Sequence, residues 1–123
     1  MTPVRRRIEH VDTDASGVVH FSRYASLMES VVLDRLEDAG AGLAVLAGLG
    51  AGLAVVELRV RYRRPAVYRD PIAGEAVVEH VGGAQFRVAA TLLREEPDGS
   101  RTELARGALT FATVHPDSGG PLP

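Results

Sequence analysis

The stretch SRYASLMESVVLDRLEDAG, from Ser22 to Gly40, decides the fold. Tyr24, Leu27, Met28, Val31, Val32 and Leu36 follow one another at steps of mostly three and four, the period of a helix and not of a strand. Ser22 can cap such a helix and Gly40 can stop it, so the spacing predicts a helix from Ser22 to about Ala39. Ala25, Leu33 and Ala39 spread the apolar surface almost all round, which predicts burial on most sides.

Toward the C-terminus, Leu43–Leu49 reads as a short helix. The apolar run from Ala39 to Val56 is too rich in Gly and Ala for a membrane span, which needs about 20 strongly apolar residues. Leu58, Val60 and Tyr62 then alternate with Arg59, Arg61 and Arg63, the period of a strand buried on one face, and Pro65 ends it. Three more strands follow at Ile72–Val81, Gln85–Arg94 and Glu103–His115, joined by turns at Gly82-Gly83 and Pro97-Asp98-Gly99. Toward the N-terminus, residues 4–11 read as a first strand, and Asp12-Thr13-Asp14-Ala15-Ser16-Gly17 as a bend. Residues 1–115 thus form one domain and 116–123 a loose tail. The expected order is strand, helix and four strands in a meander: an α+β fold whose five-stranded antiparallel sheet wraps one central helix. Such a sheet has open edges, so a homodimer or homotetramer is expected.

Composition narrows the function. With 123 residues there is room for one core. A net charge of -2 gives no general attraction to nucleic acid or to an anionic membrane. There is no Cys, hence no disulfide, thiolate nucleophile or Cys-bound metal. The first ten residues, MTPVRRRIEH, lack the apolar segment of an export signal, so the cytoplasm is the default location. His80 and His115 have no carboxylate or His at metal-ligand spacing, and no metal is expected.

Chemistry concentrates in HVDTDASGVVHFSRY, His10 to Tyr24, where two carboxylates, a Gly and a His precede the long helix. Free N–H groups at a helix N-terminus can polarise a carbonyl oxygen, and a carboxylate beside them can attack the carbonyl carbon or activate water. The plainer reading is that Asp12 and Asp14 cap turns and Gly17 bends the chain. From the residues alone both readings stand.

This segment resembles the 4-hydroxybenzoyl-CoA thioesterase family and its YbgC-like branch. That family carries approximately D-T-D-x-x-G-V-V-Y-H-x-N-Y and then a helix with Met-Glu. Here the match is D-T-D-A-S-G-V-V-H-F-S-R-Y, followed by Met28-Glu29. Tyr62-Arg63-Arg64-Pro65-Ala66 is similar to the family's Y-x-R-P-A. The resemblance implies a hotdog fold and hydrolysis of an acyl-CoA or acyl-carrier-protein thioester, without metal or organic cofactor. It makes Asp14 the catalytic carboxylate, as nucleophile or general base, and gives the carbonyl-polarising N–H to Phe21 or Ser22.

Two positions depart from the pattern. Phe21 stands where YbgC-like members have His, with His20 one place earlier, and Arg23 replaces the family's Asn. His20 either relays a proton or lies at the loop surface. Gly17, Tyr24 and Met28 are expected to bind substrate, although Tyr24 and Met28, with Leu27 and Val31, read first as core on a helix face that can serve both; Arg63 and Arg64 are expected at the phosphates of CoA, where Arg forks fit. Glu29 is either a hydrogen-bonded buried or interfacial residue or a second carboxylate of the site. Two rivals carry forward: a hotdog dehydratase or hydratase, and a non-catalytic acyl-binding subunit. The acyl group stays open, between an aryl or polyketide acid and a short housekeeping acyl-CoA.

Overall fold

The computed structural model describes residues 4–115, Ser118 and Gly120. Its elements are β1 (Val4–Arg7), α1 (Ser22–Asp38), α2 (Leu43–Gly48), β2 (Gly52–Tyr62), β3 (Pro71–Val81), β4 (Gln85–Glu95) and β5 (Arg101–Val114). The tail read at 116–123 lies outside the described residues, save Ser118 and Gly120.

The five strands form one antiparallel sheet in the order β1-β3-β4-β5-β2. The expected meander is therefore three strands long, from β3 to β5. β2 does not pair with β3. It runs along the far side of β5, because α2 and the segment after Tyr62 carry the chain across. β2 also begins at Gly52, six residues ahead of Leu58, within a Gly- and Ala-rich run that shows no alternation.

α1 lies across β3 and β4. Tyr24, Met28, Val31 and Val32 are buried on the sheet side, against Ile72, Ala76, Val88, Ala90, Leu92, Leu109 and Phe111. Each Val, Leu, Ile, Met or Phe among them contributes about 1.5–3 kcal/mol by leaving water. Gly74 allows the closest approach, since a Cβ there would stand 2.3 Å from Cγ2 of Val31. Burial on most sides is not observed: Ser26, Glu29, Asp34, Glu37 and Asp38 are exposed on the outer face. The apolar face of β2 is also only partly covered, with Leu58 39% and Tyr62 49% exposed, because α1 lies mainly over β3 and β4 and meets β2 over a smaller area.

Local signals account for the ends. α1 stops at Gly40, whose φ is +78°; the Gly40 N–H donates to Glu37 O and the Ala41 N–H to Leu36 O, a two-bond closure that needs a left-handed residue. The expected cap residue, Ser22, is instead the first helical residue, and Phe21 holds the cap position. The first strand ends at Arg7, not at residue 11. Beyond it, His10–Asp12 makes one 3-10 turn, closed by the Asp12 carboxylate on the N–H of Glu9.

Candidate active site

Between β1 and α1 the chain folds around Asp12, the one buried charged residue among those described. Its Oδ2 accepts the Glu9 N–H at 3.0 Å. Its Oδ1 accepts Nε and Nη2 of Arg23 at 3.1 and 2.9 Å, and its backbone oxygen accepts the His20 N–H at 3.0 Å. A buried carboxylate is costly unless its lone pairs are met, and the three bonds to Oδ1 and Oδ2 meet them.

Asp14 is placed differently. Its carboxylate is exposed, and Oδ1 accepts the Ser16 hydroxyl at 2.5 Å and the Ser16 N–H at 2.8 Å. Oδ2 has no partner among the described residues. The Ser16 hydroxyl above all, then the Ser16 N–H, hold this carboxyl below the usual aspartate range, and the Val18 backbone and the neighbouring His20 act weakly in the same direction. Gly17, at φ +84°, turns the chain back. Val18 and Val19 then lie along the segment after β2, bridging to Val67 and Thr13, with the Val19 N–H donating to Ala66 O at 2.8 Å.

That return delivers His20 and Phe21 to the start of α1. Nδ1 of His20 lies 2.7 Å from the Ser22 hydroxyl and 3.3 Å from the Ser22 backbone nitrogen, so the imidazole packs over the first residue of α1. Its ring stacks on Phe21 at 4.7 Å. Of the two N–H groups expected to polarise a carbonyl, the Ser22 N–H is thereby engaged. The Phe21 N–H has no partner among the described residues.

An open groove of about 310 Å³ adjoins this loop, lined by Val18, Val19, Phe21, Tyr24, Tyr62, Arg63, Arg64 and Pro65. Four of the expected residues, Phe21, Tyr24, Arg63 and Arg64, meet there. Tyr24 is nearly buried; its hydroxyl accepts the Ala66 N–H at 3.1 Å and its ring meets Tyr62 edge-on at 5.0 Å. Arg63 pairs with Glu103 at 3.1 Å, whereas Arg64 has no acidic partner among the described residues. Asp14, Gly17 and His20 are not in the groove wall; Asp14 joins it through its own N–H, which donates to Val18 O at 2.9 Å. Met28, read both as core and as a substrate contact, is fully buried in the core, because its place on α1 faces the sheet. Glu29 is exposed on the opposite face with no hydrogen-bond partner among the described residues, so of the expected places it is not buried within its own chain.

Tyr62 was read as a strand residue and as part of the Y-x-R-P-A segment but given no role; in the groove it donates its hydroxyl to Phe21 O at 3.2 Å. Hollows of similar size beside the β3–β4 turn and between α1 and β3 hold none of the motif residues. Volume therefore does not select the site; the chemistry of the loop does. Among the described residues no three His, Asp or Glu side chains are grouped to hold a metal ion, and no helix is long and apolar enough to cross a membrane.

The profile of the thioesterase-like superfamily matches residues 8–119, and the chain belongs to that family. A curated protein of Aquifex aeolicus (strain VF5) is 24% identical over 92 residues, which cover 75% of this chain and 72% of its own. Among solved structures, the DHNA-CoA thioesterase of Staphylococcus aureus superposes with a TM-score of 0.86 at 20% identity, over 98% of this chain and 78% of that one. A Bartonella henselae protein described as a probable thioesterase gives 0.85 at 25% identity, over 98% of each chain. The five-stranded sheet and its helix are the hotdog fold that the motif implied.

Proposed function

We propose that this protein hydrolyses an acyl-CoA thioester to the free acid and CoA, with Asp14 as the catalytic carboxylate and the Phe21 N–H as the group that polarises the carbonyl. Family membership makes thioester hydrolysis the reaction class. The observation that carries the assignment is the contrast within one loop: Asp12 is buried and saturated with hydrogen bonds, while Asp14 is exposed, held ionised, and has one oxygen unengaged.

The carbonyl oxygen would accept from the Phe21 N–H at the positive end of α1, where developing negative charge is stabilised. In one route Asp14 attacks the carbonyl carbon, the C–S bond breaks, the thiolate leaves and takes a proton, and water hydrolyses the resulting anhydride to regenerate Asp14. In the other, Asp14 takes a proton from water, which attacks directly. Arg64 stands at the groove without an acidic partner and suits a CoA phosphate. Tyr24, Tyr62 and Val19 offer an apolar wall to the pantetheine arm or the acyl group.

Two copies meet along β2 in this reading. β2 is an eleven-residue edge strand with its outer side unpaired among the described residues, and Val56 on it is 51% exposed. Such an edge invites pairing, and a partner there would cover the groove from the Tyr62 side. The test of function is thiol release from a panel of aryl-, short- and long-chain acyl-CoAs and the same acyl groups on a carrier protein. Turnover of at least one acyl-CoA is expected. Hydrolysis confined to carrier-bound substrates would replace CoA as the partner, and no hydrolysis of any would leave acyl binding without catalysis.

A further inference from the structure

We propose that Arg23 is a positioning residue for this reaction: through Asp12 it sets where the Phe21 N–H stands relative to Asp14. The inference rests on the hydrolase reading above, though its geometry does not. Arg23 lies in the first turn of α1, two residues after Phe21, and Asp12 lies two residues before Asp14. The loop between them is tied across its base by the guanidinium on Asp12 Oδ1, by the His20 N–H on Asp12 O and by the Thr13–Val19 bridge. Of these ties, only the guanidinium reaches from the body of the helix to the carboxylate.

The two partners are unequally placed. The Asp12 side chain is 7% exposed and that of Arg23 41%. If the guanidinium is lost, water can replace it poorly at Asp12, so the loop must shift to hydrate or re-pair the buried carboxylate. Lys at this position would keep the charge but offer a point donor in place of the two-nitrogen contact. Arg23 is not among the residues lining the groove, and its guanidinium is engaged with Asp12. The consequence falls on the spacing of the reacting groups, and a misplacement of about 1 Å costs on the order of 10²-fold in rate.

The experiment compares Arg23→Gln and Arg23→Lys with the unaltered protein, by steady-state kinetics on an acyl-CoA that it turns over and by backbone amide NMR. For Arg23→Gln, kcat is expected to fall about 10–100-fold with KM held within about twofold, and Arg23→Lys to lie between. The amide signals of Ser16 and Phe21 should move while that of Val88, in the middle of β4, stays. Unmoved Ser16 and Phe21 signals with native kcat would overturn the proposal, even with a lowered thermal midpoint, and would reduce the pair to a stabilising contact. A raised KM with intact kcat would also overturn it, making Arg23 a binding group. If Arg23→Gln does not fold, Arg23→Lys is read by the same criteria. If the unaltered protein hydrolyses nothing, the hydrolase reading falls and the amide signals alone decide positioning.

Discussion

At two places in the chain an aspartate Oδ1 accepts both the hydroxyl and the N–H of a serine two residues on. Asp14 takes Ser16 at 2.5 and 2.8 Å, and Asp98 takes Ser100 at 2.5 and 2.9 Å. Both carboxylates are exposed, and both are held below the usual aspartate range by the serine hydroxyl first and the N–H second. Taken locally the two turns are equivalent. Their surroundings are not: Asp98 sits at the tip of the β4–β5 hairpin, while Asp14 sits on a loop anchored by Asp12 and Arg23 and running into the N-terminus of α1. The Asx turn thus makes a carboxylate well ordered and charged, and only what faces it can make that carboxylate reactive.

The comparison breaks most sharply at the aspartates themselves. Asp14→Asn should lower kcat by about 10²–10⁴-fold with the fold retained, and Asp98→Asn should leave it alone. A folded Asp14→Asn protein with near-normal turnover, read by thiol release, would erase the distinction. Next in size is Asp12→Asn, which disturbs a buried acceptor and should lower stability by about 1–3 kcal/mol, measured by denaturant unfolding. A stable Asp12→Asn protein that is wholly inactive would move the chemistry from Asp14 to Asp12.

The smallest expected effect is a shift of pH profile. Because Ser16 lowers the Asp14 pKa, the carboxylate stays ionised further into acid; Ser16→Ala should let that pKa rise, so the acid limb of kcat/KM moves to higher pH. Ser100→Ala should leave that limb in place. In stability the two turns behave alike. A carboxyl whose pKa is lowered by folding contributes above its unfolded pKa, and that contribution is lost as pH falls through the folded value. Both serine variants should therefore lose some of their margin at neutral pH over acid. An acid limb that moved equally in both would show that Asp14 does not govern activity.

How far the sequence discloses this follows from the range of each interaction. α1, its stop at Gly40 and both hairpin turns come from neighbours within a few residues, and periodicity exposes them. The place of β2 beside β5 does not, because strand order is settled by pairing between residues some fifty apart, such as Leu58 with Leu109. The one-sided burial of α1 escaped because Ala25 and Leu33 fit a half-covered surface as well as a core. In the candidate site, Asp14 was named from its match to the family's second Asp and Phe21 from its place in the motif, where it departs from the family's His, whereas the Arg23–Asp12 pair was not legible. Arg23 read only as a departure from the motif, and nothing in the spacing says that it turns toward a carboxylate eleven positions back. Met28, read both as core and as a substrate contact, lies in the core, because a helical period gives a face without saying what lies opposite.

Glycine within a strand ordinarily marks a place where drift is cheap, yet Gly74 is the reverse. Any side chain there collides with Val31, so either that side chain or α1 must shift. Since α1 carries Phe21 at its leading end, the seating of the helix that bears the candidate site depends in part on a β3 position whose side chain is a hydrogen atom. Descendants of this sequence are free to vary much of the groove before they are free to vary that strand position, and a random mutagenesis screen for activity should find Gly74 among the least forgiving sites.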